Sequence, residues 1–271
     1  RPKSSAASDV YKRQVQEENE IPKTIPQMAG VKEKTVREAI AYRRSVRAYT
    51  DEALDDDKVK DCIQQATLAP TSSNLQLWEF YHVTDKEKCK EIAKACFNQG
   101  AAKTANQLVV VVARRDLWRS RAKANYTYLS EVFKTANSFN PARKKMALYY
   151  YGKLIPTLYS TFFGIKGWIV FMFSQIVGLF RPMYRQNRRS DLRVVAQKSA
   201  GLAAQNFMIS MAAIGYDTCP MEGHDSLRVK RALGIGRKAE INMVIGCGIR
   251  DPKGVYGKRF RIPFEEVYKK V

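Results

Sequence analysis

Arg43-Arg44-Ser45-Val46-Arg47 puts three cations and a hydroxyl within five residues, a composition suited to gripping an anion such as a phosphate. About thirty residues later comes Ala69-Pro70-Thr71-Ser72-Ser73-Asn74-Leu75-Gln76, a turn rich in small hydroxyl and amide side chains that can hydrogen-bond a flat polar ring. Together the two segments suggest a nucleotide-like cofactor held by phosphate and ring at once. Taken singly, the arginines would be a solvated helix terminus and Asn74 a turn former. Their joint placement is what carries the reading.

Other chemistries find less support. The five cysteines (Cys62, Cys89, Cys96, Cys219, Cys247) are odd in number and scattered, with no Cys-x-x-Cys, which argues against a disulfide framework and for a reducing, cytoplasmic setting. The two histidines, His82 and His224, have no metal-ligand spacing around them, so no metal is expected. Cys219 and His224 are near neighbours in sequence, but no third group stands by to orient the imidazole, and a buried thiol beside a surface histidine is the simpler expectation.

The elements that must position these residues follow from periodicity and capping. A helix is expected from about Lys34 to Tyr42, with Val36, Ala39 and Ile40 inward, and a second from about Asp55, with Val59, Ile63, Ala66 and Leu68 as its apolar side and Pro70 ending it. Trp78 to Val83 reads as a strand, Asp85 as the cap of a helix running towards Cys96, and Leu108 to Val112 as a buried central strand. Leu192 to Ile214 reads as a long helix packed through Gly201, Ala203, Ala204 and Ala212 and stopped by Gly215. Asp225 caps a short helix to Leu233, Glu240 to Ile249 forms a last strand, and Lys258 to Phe264 is a basic, apolar arm. At the other end, residues 1–33 read as a tag-like remnant without a signal-peptide core, followed by an extended arm.

Charge and hydropathy set the middle apart. The chain carries 47 Lys+Arg against 26 Asp+Glu, a formal charge of +21, and residues 114–193 hold 16 basic and 3 acidic residues. Such a segment favours anionic partners, whether phosphate cofactors, nucleic acid or an acidic lipid surface. Within it, residues 154–180 contain one charge, Lys166; Pro156, Gly164 and Gly167 interrupt the run, so a bilayer span is not favoured. Three roles fit: a lid over the site, a core or dimer-interface helix, and an interfacial membrane helix flanked by Arg181, Arg185, Arg188 and Arg189. Core or interface burial is the default for an apolar helix of this length.

The Arg-Arg-Ser-Val-Arg motif, the Ala-Pro-Thr-Ser-Ser-Asn-Leu-Gln-Leu-Trp segment, Pro220-Met221-Glu222-Gly223-His224-Asp225 and the basic C-terminal arm, in that order, resemble the nitroreductase family over roughly residues 34–115 and 191–271. The resemblance implies an α+β fold with helices around a mixed central sheet, built from residues 34–271 with an enlarged insertion at about 117–190. It implies intertwined homodimers with FMN at the subunit interface, NADH or NADPH as electron donor, and a small-molecule acceptor such as a nitroaromatic, a quinone or a flavin. By position, Arg43, Arg44, Ser45 and Arg47, with Arg259 and Arg261 of the arm, match the phosphate and ribityl site. Thr71, Ser72 and Asn74 match the loop packed on the flavin across the interface. Asn98 or Gln99 matches the amide on the pyrimidine edge, and Met221, Glu222 and Gly223 match the turn facing flavin N5.

The implied reaction is ping-pong hydride transfer in which the cofactor carries the chemistry, so no catalytic side chain is nominated. Leu77 stands where the family usually has Pro, Ala101 where a flavin-contacting Lys is common, and the insertion is longer and more apolar than usual, which would admit a hydrophobic oxidant. A changed reaction on the same flavin, such as dehalogenation or flavin fragmentation, and a non-catalytic basic protein binding membrane or nucleic acid are the competing readings. Nucleic acid is not expected as a partner, whereas peripheral membrane contact through residues 154–189 stays open.

Overall fold

The computed structural model describes residues 28, 30–135, 140–160 and 165–271; most of the N-terminal remnant and arm therefore lie outside the described residues. Four strands form one sheet in the order β1-β2-β4-β3, with β1 Trp78–Val83, β2 Gln107–Ala113, β3 Asp217–Met221 and β4 Glu240–Gly248. Every ladder is antiparallel; parallel pairing is confined to a single bridge, Ser45 to Thr218, on the outer edge of β3. Among the described residues the sheet is thus mixed only through that bridge.

The unbroken apolar run of β2 follows from its place between β1 and β4 with helices on both faces. Val109 and Val111 point into a core shared with α2 (Asp56–Ala66) and α9 (Arg189–Ala213), while Leu108, Val110 and Val112 point into a second core shared with α3 (Lys86–Ala95) and α10 (Ser226–Ala232). The caps read from sequence, Asp85 and Asp225, form as expected by accepting backbone N–H at the start of α3 and α10, and Asp55, the expected helix start, caps α2 in the same way. Thr35 and Glu38 close a reciprocal capping box on α1 (Val36–Tyr42). Helix α9 ends in a Schellman turn, with Gly215 at φ 88° and Tyr216 N–H bonded to Met211 O at 2.9 Å.

Three expectations change. Strand β3 was not apparent in sequence; it is a short edge strand that tolerates Pro220 because one of its sides has no ladder partner. Val36, Ile40 and Leu68 are exposed and only Ala39 of the α1 face is buried, because periodicity says which residues share a face but not what covers it. Gly201 is not a packing residue, since a Cβ there would meet open space; Ala203, Ala204 and Ala212 are buried as expected, and Ala196 and Ala200 join them.

The one-turn helix α4 (Gly100–Lys103) precedes β2, and between β2 and α9 the insertion forms α5 (Trp118–Thr135), α6 (Pro141–Tyr149), a π turn over Tyr150–Leu154, α7 (Ile155–Tyr159) and α8 (Ile165–Val177). Ile155 and Tyr159 anchor it in the first core, where Tyr159 lies 5.8 Å from the Trp118 ring. Core burial, the default for the apolar helix, does not hold for α8, whose bulkiest side chains face outward.

Candidate cofactor site

Helix α1 stops at Arg43, which turns to extended backbone at φ −57°, ψ 124°. The following residues run along β3: Val46 N–H donates to Thr218 O at 3.2 Å, and Arg47 N–H donates to Gly254 O at 2.7 Å. Alternation along this stretch buries Val46 completely and turns Ser45 and Arg47 to the other side. Spacing in the motif therefore has a structural origin: one valine pins the strand edge and the polar residues either side of it stay available.

The C-terminal arm returns to the same place. Arg259 donates to Ala41 O at 2.9 Å and to Arg43 O at 2.6 Å, satisfying carbonyls left over at the end of α1, and Arg44 donates to Gly257 O at 3.0 Å. One nitrogen of Arg259 is thus occupied in strapping the arm. Partial burial and then the positive charges of Arg259, Arg261 and Arg44 hold the Arg43 guanidinium below its ordinary pKa. Cys219 lies close enough to Arg47 and Arg43 to feel both, although burial still pushes its thiol up.

Among the described residues none of Arg43, Arg44, Arg47, Arg259 and Arg261 forms an ion pair. Cations gathered without a carboxylate repel one another, and a bound dianion would turn that cost into several charge-assisted bonds. The residues present fit a phosphoryl group.

Beside the arginines is the loop that follows α3. Gly100 sits against Arg47, where a Cβ would come within 2.6 Å of Arg47 O, so only glycine allows that approach. Gln99 donates from Nε2 to Gly223 O at 2.7 Å, joining the loop to the turn after β3. Asn98 instead lines a cavity of about 980 Å³ bounded by Lys94, Lys103 and Asn106. Of the two amides left open by the sequence, the structure brings Gln99 to the turn. Glu222 and Gly223 are exposed there, whereas the Met221 side chain is in the second core, so only its backbone is available.

The loop of Thr71, Ser72 and Asn74 is held by other neighbours. Ser72 N–H reaches Ser199 Oγ of α9 at 3.5 Å, Asn74 exchanges hydrogen bonds with Asn125 of α5 at 3.0 and 2.9 Å, and Thr71 Oγ1 accepts from Gln76 N–H at 3.2 Å. Ser73 is clasped by Tyr150 at 2.6 Å and by Tyr151 at 3.0 Å. No hydrogen bond among the described residues ties this loop to the arginines, so the chain presents two half-sites on separate supports. Asn125, Tyr150 and Tyr151 hold this loop, which sequence did not reveal. Their partners lie 51 to 78 residues away, beyond any local signal.

Backbone strain marks the same two loops. Ser73, Asn74, Gln76, Phe97 and Asn98 are the non-glycine residues with positive φ among the described residues, and all five lie here. Each costs on the order of 1 kcal/mol and persists only where its surroundings over-determine it, and such strain gathers at ligand-binding loops.

Comparison with known proteins decides the family. The profile of the nitroreductase family matches residues 40–249, most of the chain. The chain belongs to the nitroreductase family. It is 27% identical over 214 residues to the protein DrgA of Synechocystis, covering 79% of this chain and 83% of that one. A nitroreductase family protein of Streptococcus pneumoniae superposes with a TM-score of 0.62 at 22% identity, covering 88% of this chain and all of the other. An NADPH:FMN oxidoreductase of Vibrio harveyi, solved with NAD+, superposes with a TM-score of 0.55 at 18% identity, covering 87% and 76%. Family membership makes the chain an oxidoreductase.

Proposed function

We propose that this nitroreductase-family chain is an FMN-dependent NAD(P)H oxidoreductase that passes electrons to a small-molecule acceptor by a ping-pong cycle. The observation that carries this reading is the meeting of Arg43 and Arg44 with Arg259 and Arg261, from opposite ends of the chain, without a carboxylate among them. The Vibrio harveyi neighbour, named for FMN and NADPH, has the same fold.

Arg43, Ser45 and Arg261 would hold the phosphate, and Arg47 would place positive charge beside the ring. Gln99 orients the Glu222-Gly223 turn, whose exposed backbone would meet the ring edge. When bound, the flavin supplies the hydride-accepting and electron-donating centre, so no side chain has to act as acid, base or nucleophile. The loop of Thr71, Ser72 and Asn74 would complete the site of a second copy. Exposed Val36, Ile40 and Leu68 are apolar surface such a copy would bury, which supports a homodimer.

The test is spectroscopic. Purified chain, or chain supplied with FMN, should absorb near ~450 nm and bleach when NADH or NADPH is added without air. Riboflavin, which lacks the phosphate, should bind far more weakly than FMN. A chain that takes up neither flavin, or prefers riboflavin, would sink the assignment.

A further inference from the structure

Helix α8 is built inside out. Its inner face is Gly167, Val170, Phe171, Ser174, Val177 and, just beyond the helix end, Gly178, partly or fully buried; Ser174 is sealed by hydrogen bonds to Phe171 O at 2.7 Å and from Asn187 at 3.0 Å. Its outer face is Trp168, Ile169, Met172, Phe173 and Ile176, all exposed, followed by Leu179 and Phe180 at 75% and 85% exposure. A helix lying on a water-soluble domain puts its bulky apolar residues inward and its polar ones outward. Here the one fully buried side chain among the described residues of α8 is the polar Ser174 and the exposed face is bulky and apolar, so the medium matched to the outer face is apolar.

What borders that face is cationic. Arg181, Arg185, Arg188 and Arg189 follow the helix directly, and no carboxylate occurs anywhere from residue 132 to residue 190. Arg185 donates to Gly178 O and, at 3.1 Å, to Gln175 Oε1; Arg188 lies 3.9 Å from the Phe171 ring. Both guanidinium groups therefore stay against α8, at the border of its exposed apolar face. At 13 residues α8 is about 20 Å long, short of the roughly 30 Å hydrocarbon core, and no helix among the described residues is long and apolar enough to cross a membrane.

We propose that the outer face of α8 with Leu179 and Phe180 is a peripheral docking surface for a membrane rich in acidic phospholipid. The apolar side chains enter the headgroup boundary and the arginines meet the anionic headgroups, the two forces that hold an in-plane helix. A second copy of the chain is a poorer occupant: a two-fold contact through this patch would bring arginine rows together with no carboxylate in the segment to offset them.

Trp168 gives a direct readout, because it is the exposed tryptophan of the three, Trp78 being buried and Trp118 largely so. The whole chain is mixed with phosphatidylcholine vesicles with and without phosphatidylserine, and followed by sedimentation and by tryptophan emission. Co-sedimentation is expected with phosphatidylserine, with a blue shift that Trp168→Phe abolishes. The double substitution Arg181→Gln, Arg189→Gln should weaken it by about tenfold or more. Ile169→Ser with Phe173→Ser should abolish it while leaving the far-ultraviolet circular dichroism unchanged. The proposal is overturned by absence of binding to either vesicle, by equal binding to both, or by wild-type binding in the Ile169→Ser, Phe173→Ser variant. It is equally overturned if that variant turns a dimer into a monomer, which would make the face a subunit interface.

Discussion

Arg250 closes on Asp217 with Nη2–Oδ1 at 2.5 Å and Nε at 3.0 Å from both carboxylate oxygens, while its own backbone N–H donates to Oδ2 at 2.9 Å. The guanidinium also lies 4.1 Å from the Tyr42 ring and donates to Tyr42 O at 3.4 Å. One ion pair thereby ties the start of β3 to the end of α1, the point from which Arg43 departs. The hydrogen bonds to Asp217 raise the Arg250 pKa, against the opposing effect of partial burial.

Asp217→Ala should therefore cost roughly 2–4 kcal/mol in urea unfolding, because it strands a partly buried cation and breaks several charge-assisted bonds. It should also weaken anion binding, since Arg43 loses its anchor. Stability within 0.5 kcal/mol of wild type, to take a rough surface-substitution value, would show that the pair is replaceable.

The arginine cluster makes a prediction independent of redox activity. Inorganic phosphate should raise the melting temperature of flavin-free protein more than chloride at equal ionic strength. Arg43→Ala and Arg261→Ala should each weaken FMN binding by about 1.5–3 kcal/mol, as expected for a lost bond to a charged group. Arg43→Lys should recover only part of this, because an ammonium lacks the fork.

Strain at Phe97 can be relieved. Phe97 is exposed at φ 57°, a conformation that glycine adopts freely. Phe97→Gly should stabilise the flavin-free chain by about 0.5–1 kcal/mol by relieving this strain. A loss of stability in thermal or chemical unfolding would mean that the ring makes contacts that outweigh it.

His224 sets a pH dependence. Burial lowers its pKa, opposed by Met221 backbone and by Asp225 and Glu222. A histidine whose folded pKa lies below its unfolded value binds fewer protons when folded, so stability falls as pH drops through the unfolded value of about 6.5. His224→Gln should flatten the unfolding midpoint between about pH 7 and pH 5. A steeper profile in the variant would reverse the sign.

No thiol should be needed for turnover. All five cysteines are buried and unpaired by disulfides; burial pushes Cys62 to about 12 and Cys89 and Cys96 to about 11, and raises Cys219 despite the neighbouring Arg47 and Arg43. Cys219→Ala should keep NAD(P)H oxidation near wild type, and a thiol reagent should label the native chain slowly and the urea-unfolded chain fast.

What the sequence by itself determined is local. Asp55, Asp85 and Asp225 announce helix starts because a cap and the donors it satisfies lie within three residues. The valine run of β2 announces a strand covered on both faces, and Arg43 to Arg47 announces a cluster of cations because its residues are adjacent. Tertiary structure alone decided what lies far apart along the chain. It brought Arg259 to Arg43 across 216 positions, and it bonded Gln99, not Asn98, to Gly223. It clasped Ser73 between two tyrosines of the insertion, and it turned the bulky side of α8 outward. The physical reason is the same in each case: periodicity and capping are settled within a few residues, whereas the medium facing a side chain is settled only by what else folds against it.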